Sequence, residues 1–213
     1  MKITILGSTG FVGKVVLKKA LEQGYQVKTL VRDPKKLGTY KDKVEYVSGD
    51  VSQAEKLEKA VKGADIVIST LPPTATNSDP EKSAKIMEQM VTTMEKQGIK
   101  RFIHIGGAVH GGGIDENWTL SRRLLRTYLN IVCKPVLVAK QMEWDILRKS
   151  NLDWILVRPP RITKDKPLGP LAVDEKNLGS VKVNVEDLAE FLLEQIHSEK
   201  WVVKAPLVAT VSR

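Results

Sequence analysis

The sequence predicts an α/β fold: a doubly wound, mostly parallel sheet with helices on both faces and a small C-terminal excursion. Three observations carry this. Short apolar runs of β-rich composition alternate with longer stretches of helical periodicity along the chain. No long hydrophilic linker or internal repeat interrupts them. A glycine-rich turn joins the first apolar run to the first helical stretch. Parallel strands need crossover connections, and helices on both faces supply them.

The elements follow in order. Lys2–Leu6 reads as a strand, and Phe11–Gln23 as a helix whose stripe is Phe11, Val12, Val15, Val16, Ala20 and Leu21. Gln26–Val31 and Val44–Val47 are the second and third strands. Ser52 is the expected cap of a helix reaching Lys62, with Leu57, Ala60 and Val61 on its apolar face. Ile66–Thr70 is the fourth strand, and Pro80–Gln97 a helix stopped by Gly98. Phe102–Ile105 is the fifth strand. A less regular region then leads to a helix from Val136 to Lys149. Trp154–Val157 is the sixth strand, stopped by Pro159 and Pro160. Val185–His197, capped by Asn184, is the last helix, and Leu207–Val211 a final strand. The Pro-, Gly- and Lys-rich stretch Arg161–Val183 reads as a substrate-side cap or loop excursion, not a separate domain.

The 213 residues fit one domain, 1–213, with enough chain to bury a sizeable core. Apolar residues at 42% and charged residues at 28% exclude a disordered or low-complexity chain. No apolar run approaches the ~20 residues of a membrane span, and the N-terminus lacks the pattern of a secretory signal. A single cysteine, Cys133, excludes an internal disulfide and suits a reducing cytoplasm. The formal charge of +9 is spread over most of the chain, with small clusters at Lys14, Lys18 and Lys19, at Arg32, Lys35 and Lys36, and at Arg122, Arg123 and Arg126. That is the pattern of a solvated basic surface. No helix-turn-helix, zinc-finger or RNP-type pattern supports specific nucleic-acid binding.

The strongest local signal is the turn Gly7, Ser8, Thr9, Gly10, Phe11, Val12, Gly13 between the first strand and the first helix. Gly7 suits a turn that a Cβ disfavours. Gly10 lets a diphosphate approach the backbone, and Gly13 lets the helix pack close to the sheet. The helix N-terminus offers free N–H groups and a partial positive charge to the phosphates. The second strand ends in Val31-Arg32-Asp33, with Lys35 and Lys36 close behind. An arginine there accommodates the 2′-phosphate of NADP, where an acidic residue would bind the 2′-hydroxyl of NAD. The expected cofactor is therefore NADP(H), with NAD(H) second; Asp33 suits a cap for the next turn.

With these residues the chain resembles the atypical short-chain dehydrogenase/reductases, the Rossmann-fold group that includes NmrA-like proteins and flavin reductases of the biliverdin reductase B type. The resemblance also rests on Gly49-Asp50-Val51, Phe102-Ile103-His104-Ile105-Gly106-Gly107, Leu147-Arg148-Lys149-Ser150-Asn151-Leu152-Asp153-Trp154, Val157-Arg158-Pro159-Pro160 and Val183-Asn184-Val185-Glu186-Asp187-Leu188-Ala189. It implies that Asp50 and Val51 meet the adenine, that Thr70, Leu71 and Pro72 line the ribose side, and that Gly106 and Gly107 border the nicotinamide. Pro159, with Pro160, would shape the far wall.

Most short-chain dehydrogenases use a Tyr-x-x-x-Lys pair, in which the lysine lowers the tyrosine pKa and the phenol moves the proton. Here Lys140 is preceded four residues earlier by Val136, and Tyr128 is followed by Val132. Gly106-Gly107-Ala108 stands where the usual serine or threonine would be. Tyrosine-assisted alcohol–ketone chemistry is thus disfavoured, whereas a flavin, quinone or similar flat acceptor can take hydride without an enzymatic phenol. The candidate substrate-side residues are His110, Trp118, Arg122, Arg158 and Arg161. Of these, His110 and Arg161 are catalytic candidates together with Lys140, which either meets the cofactor ribose or extends into water. His104 reads as a satisfied core residue, His197 as a helix-end residue and Asp187 as a first-turn acid. The three histidines lack metal-ligand spacing, so no metal is expected. The expected function is reduction of a flat small molecule by NADPH. The competing reading, drawn from the resemblance, is a non-catalytic NADP(H)-binding regulator of the NmrA-like type. Oligomeric state stays open.

Overall fold

In the computed structural model, residues 1–71, 79–107, 134–165, 170–175 and 180–211 are described. Six parallel strands form the main sheet: β1 Lys2–Leu6, β2 Gln26–Val31, β3 Glu45–Ser48, β4 Ile66–Ser69, β5 Arg101–Ile105 and β6 Asp153–Val157. Their order is β3-β2-β1-β4-β5-β6, so the winding reverses between β1 and β4. A doubly wound sheet binds ligands outside the carboxyl ends of its strands at that reversal.

Strand alternation sends side chains to two separate cores. Ile3, Ile5, Ile68, Ile103 and Ile155 face one side, where helices α1 (Phe11–Glu22) and α5 (Val185–Glu194) cover them with Val16, Leu17, Leu188 and Leu192. Leu6, Val67, Phe102, Trp154 and Leu156 face the other. There they meet α2 (Ala54–Val61), α3 (Pro80–Lys96) and α4 (Lys134–Lys149) through Leu57, Met87, Met94 and Leu147. Thr4 also faces this side, and its hydroxyl donates to the Ala60 carbonyl at 2.9 Å. The polar group is therefore satisfied inside the layer.

Several local expectations are corrected. The second helix starts at Ala54 with Gln53 as its cap. Ser52 cannot cap it, because both its N–H and its hydroxyl are committed to Asp50 Oδ1. The last helix ends at Glu194, before His197, whose Nε2 lies 3.0 Å from the Tyr25 hydroxyl. Asn184 does cap that helix, accepting from the Glu186 N–H at 2.7 Å. Asp187 lies in its first turn, and burial pushes this carboxyl above its ordinary range. Asp33 likewise caps a 3-10 stretch, Pro34–Lys43, accepting from the Lys35 N–H.

The excursion is not plain loop. It carries β7 Arg161–Thr163, β8 Leu171–Asp174 and β9 Lys182–Asn184; β7 pairs with β9 in parallel, and β8 pairs antiparallel with β10, Leu207–Thr210. Arg158 ties this unit to the sheet edge. Its Nε donates to the Ala205 carbonyl and its guanidinium to that of Glu175, both at 2.7 Å. Arg158 is buried, and these bonds commit its guanidinium to the packing of the excursion. Among the described residues no helix is long and apolar enough to cross a membrane.

Candidate functional site

The turn after β1 sits at the winding reversal. Gly7 takes φ +85°, the left-handed region that side chains avoid, and its carbonyl accepts from the Gly10 N–H at 2.9 Å. A Cβ on Gly13 would come within 2.1 Å of that carbonyl oxygen and 2.6 Å of Thr70 Oγ1. The first turn of α1 is thus pressed against the loop and the end of β4. Gly10 differs: a Cβ there would meet only the Gly7 carbonyl, at 3.2 Å, with open space beyond. Gly10 caps α1 without a side-chain hydrogen bond, and the first turn of the helix holds no acid. The helix N-terminus is left to meet an anion.

A cavity of about 440 Å³ opens over this turn. At one end it is lined by Arg32, Lys36 and Asp50, in the middle by Gly7, Thr9, Gly10, Val51 and Leu71, and deeper by Ile86, Met87, Met90, His104, Lys140 and Glu143. Arg32 is almost free in solvent, its side chain 83% exposed, with Nε 4.0 Å from Asp50 Oδ2. The Asp50 carboxyl is held below the usual carboxylate range. The Ser52 N–H does most of this and the Ser52 hydroxyl adds to it, with Arg32 and Lys82 as lesser neighbours. Asp50 therefore stays an acceptor at neutral pH, with Oδ1 already engaged.

Other candidates lie around the wall rather than in it. Ser8 is buried beneath the turn, 2.6 Å from Thr29 Oγ1. Thr29 spends its own proton on the Ile5 carbonyl, so Ser8 is the donor. This chain of hydroxyls ties β2 to the turn. Thr70 Oγ1 donates to the Leu6 carbonyl at 3.1 Å. Val12 is buried in the core, whereas Phe11 is 47% exposed with Lys164 Nζ 5.5 Å from its ring centre. The Gly106 N–H donates to the Val157 carbonyl, and a Cβ on Gly107 would meet nothing within 4 Å among the described residues. Pro159 is buried and Arg161 exposed. Pro72, His110, Trp118 and Arg122 lie outside the described residues.

Lys140 overturns one of its two readings: it does not extend into water but is buried in the cavity wall. Its Nζ donates to Glu143 Oε2 at 2.6 Å, one turn along α4. His104 Nε2 lies 3.8 Å from the same oxygen. His104 is buried as expected but not satisfied, for neither ring nitrogen has a hydrogen-bond partner among the described residues. Burial pushes both nitrogen bases below their ordinary pKa, against the upward pull of the Glu143 charge. Sequence reasoning missed Glu143, Lys82 and the methionine wall of α3. The signal for Glu143 was its position three residues after Lys140 on one helix face.

The family model described as NAD(P)H-binding matches residues 7–199. The chain belongs to this NAD(P)H-binding family. Among curated proteins of similar sequence, a photosystem II assembly factor, Ycf39, of Cyanophora paradoxa is 32% identical over 108 residues, covering 48% of this chain and 33% of that protein. The chain thus spans about a third of that relative. A cinnamoyl-CoA reductase of Medicago truncatula is 22% identical over 200 residues, covering 85% of this chain and 58% of that protein. The fold is shared with solved structures. The oxidoreductase ylbE of Lactococcus lactis superposes with a TM-score of 0.80 at 23% identity, covering 100% of this chain and 92% of that one. A short-chain dehydrogenase/reductase of Veillonella parvula, solved in complex with NADP, gives 0.77 at 18% identity, covering 98% and 94%.

The cavity fits the dinucleotide that the NAD(P)H-binding family is named for. The α1 N-terminus, which has no side-chain cap, and the open side of Gly10 suit a diphosphate, and two cations line the cavity beside the end of β2, where the adenosine half would lie.

Proposed function

We propose that this chain is an NADPH-preferring oxidoreductase that reduces a flavin, quinone or similar flat acceptor without a tyrosine acid. One observation carries the reading: the 440 Å³ cavity runs from Arg32 and Lys36, past Gly7 and Gly10, to Lys140, with Val136 at the position of the usual tyrosine. Gly10 and the first N–H groups of α1 would hold the diphosphate. Arg32 and Lys36 would hold a 2′-phosphate, Asp50 and Val51 the adenine, and Leu71 with Thr70 and Pro72 the ribose side. Gly106, Gly107 and Pro159 would border the nicotinamide, which supplies hydride when bound. The finer kinship with NmrA-like proteins and biliverdin-reductase-B-type flavin reductases belongs to this proposal and has the same support.

The assay follows NADPH absorbance with FMN, FAD, simple quinones and biliverdin as acceptors. The reading expects oxidation that saturates with at least one acceptor and is lost in Gly10→Asp, whose carboxylate would repel the diphosphate. Tight NADPH binding with no turnover of any of these acceptors would replace it with a non-catalytic, NADP(H)-binding regulator.

A further inference from the structure

We propose that Glu143 is a positioning residue that joins Lys140 and His104 into one proton-holding cluster, from which Lys140 Nζ delivers the proton that the missing tyrosine would otherwise supply. This rests on the reductase reading above. Reduction of a quinone or flavin by hydride adds two electrons and one proton, and the neutral product needs one further proton. In the proposed step an N–H bond of the Lys140 ammonium breaks and an O–H or N–H bond of the acceptor forms. The neutral amine is then recharged from water through Glu143 and His104.

Geometry supports the assignment. The carboxylate reaches both bases from one oxygen, 2.6 Å from Lys140 Nζ and 3.8 Å from His104 Nε2. All three residues line the cavity, and all are nearly or wholly out of solvent. A fold gains little from such a group: a buried ion pair seldom stabilises more than apolar residues of the same volume. A buried imidazole whose nearest polar partner among the described residues, Glu143 Oε2, stands 3.8 Å from Nε2 is a further cost. His104 stacks on the Phe102 ring, with centroids 5.7 Å apart, and stands opposite Ser69 in the β4–β5 register. The Ser69 hydroxyl is also buried and without a partner among the described residues. His104 itself lines the cavity, where an acceptor's polar atom or a water would satisfy its ring nitrogens, while Ser69 lies buried beside it.

Among the described residues, the groups around the cluster come from four elements. From α4 come Lys140 and Glu143, from β5 His104, and from β4 only the neutral Ser69. On α3, Ser83 and Lys82 line the same cavity; Arg32, Lys36 and Asp50 line its far end. Among the described residues Glu143 is the carboxylate paired with Lys140, and its charge opposes the loss of the ammonium proton that burial favours. Without it, desolvation takes the proton off Lys140 at lower pH.

Glu143→Gln tests this in two independent ways. First, histidine NMR titration of the cofactor-free protein reads the coupling without any turnover. The His104 midpoint falls in Glu143→Gln. Second, the alkaline limb of the kcat profile moves down by on the order of one pH unit or more, and Glu143→Asp restores part of it. An unchanged His104 titration in a folded variant refutes the cluster. A shifted titration with an unmoved kcat limb, or a loss equal at every pH, refutes proton delivery. If no acceptor is ever turned over, the reductase reading fails, yet the titration still decides whether Glu143 couples the two bases. Should Glu143→Gln not fold, His104→Gln is expected to slow recharging, giving a kcat that responds to added small-molecule buffers. Absence of that response contradicts the relay.

Discussion

Replacing Gly13 with alanine and replacing Gly10 with alanine are expected to damage the protein in different ways. At Gly13 the new methyl lies 2.1 Å from the Gly7 carbonyl oxygen, 1.3 Å inside the 3.4 Å where ordinary contact begins. The obstacle is backbone, and that carbonyl is fixed by the Gly10 N–H. Neither partner can swing away, so the loop or the helix must move. Overpacking of this kind costs typically 1–3 kcal/mol, and the short distance puts Gly13→Ala at about 3 kcal/mol. For a domain of this size that lowers Tm by about 6–12 °C. At Gly10 the methyl meets the same oxygen at 3.2 Å and otherwise faces the cavity. Gly10→Ala should change stability by less than about 1 kcal/mol. It should still weaken NADPH binding tenfold or more, about 1.4 kcal/mol, because the methyl stands where the diphosphate would approach. Thermal unfolding and NADPH fluorescence titration read the two effects. A Gly13→Ala protein as stable as the wild type would refute the packing argument. Unweakened binding in Gly10→Ala would refute the cradle.

Other substitutions address the rest of the site. Arg32→Ala should weaken NADPH binding about tenfold, or about 1.4 kcal/mol, and leave NADH binding unchanged; equal losses for both would remove the 2′-phosphate assignment. Arg158→Met deprives the Ala205 and Glu175 carbonyls of their donors. It should cost about 2–3 kcal/mol in urea unfolding with NADPH affinity intact, whereas lost affinity in a stable variant would return Arg158 to the ligand side. His104 has a folded-state pKa below its ordinary value, so below about pH 6.5 the unfolded chain binds a proton that the folded chain resists. Stability should therefore fall as pH drops through that point, and His104→Gln should flatten the decline. An identical pH dependence in the variant would contradict the depressed pKa.

The main sheet was legible because its strands carry two-residue alternation and its helices a stripe of buried positions. Ile3 and Ile5 against Thr4 and Leu6 is enough to assign two faces. The turn was legible because Gly7 and Gly13 are demanded by sterics that few other residues meet. The excursion was not, since β7 and β9 are three residues each and too short to show a period. Ser52 was misread as a cap because the competing acceptor, Asp50, also precedes the helix. The packing role of Arg158 was not legible because its carbonyl partners come from Glu175 and Ala205, far along the chain. The same holds for the cluster at the cavity floor. Lys140 and Glu143 share a helix turn, but only the β5–α4 packing brings His104 to them.

The central claim is that the β1–α1 turn holds a phosphorylated nicotinamide dinucleotide. Isothermal titration of the intact protein with NADPH, and separately with NADH, tests it most directly. Saturable binding with one site per chain, tighter for NADPH and abolished in Gly10→Asp, is the predicted result. No heat of binding for either dinucleotide, or binding that survives Gly10→Asp, would contradict it.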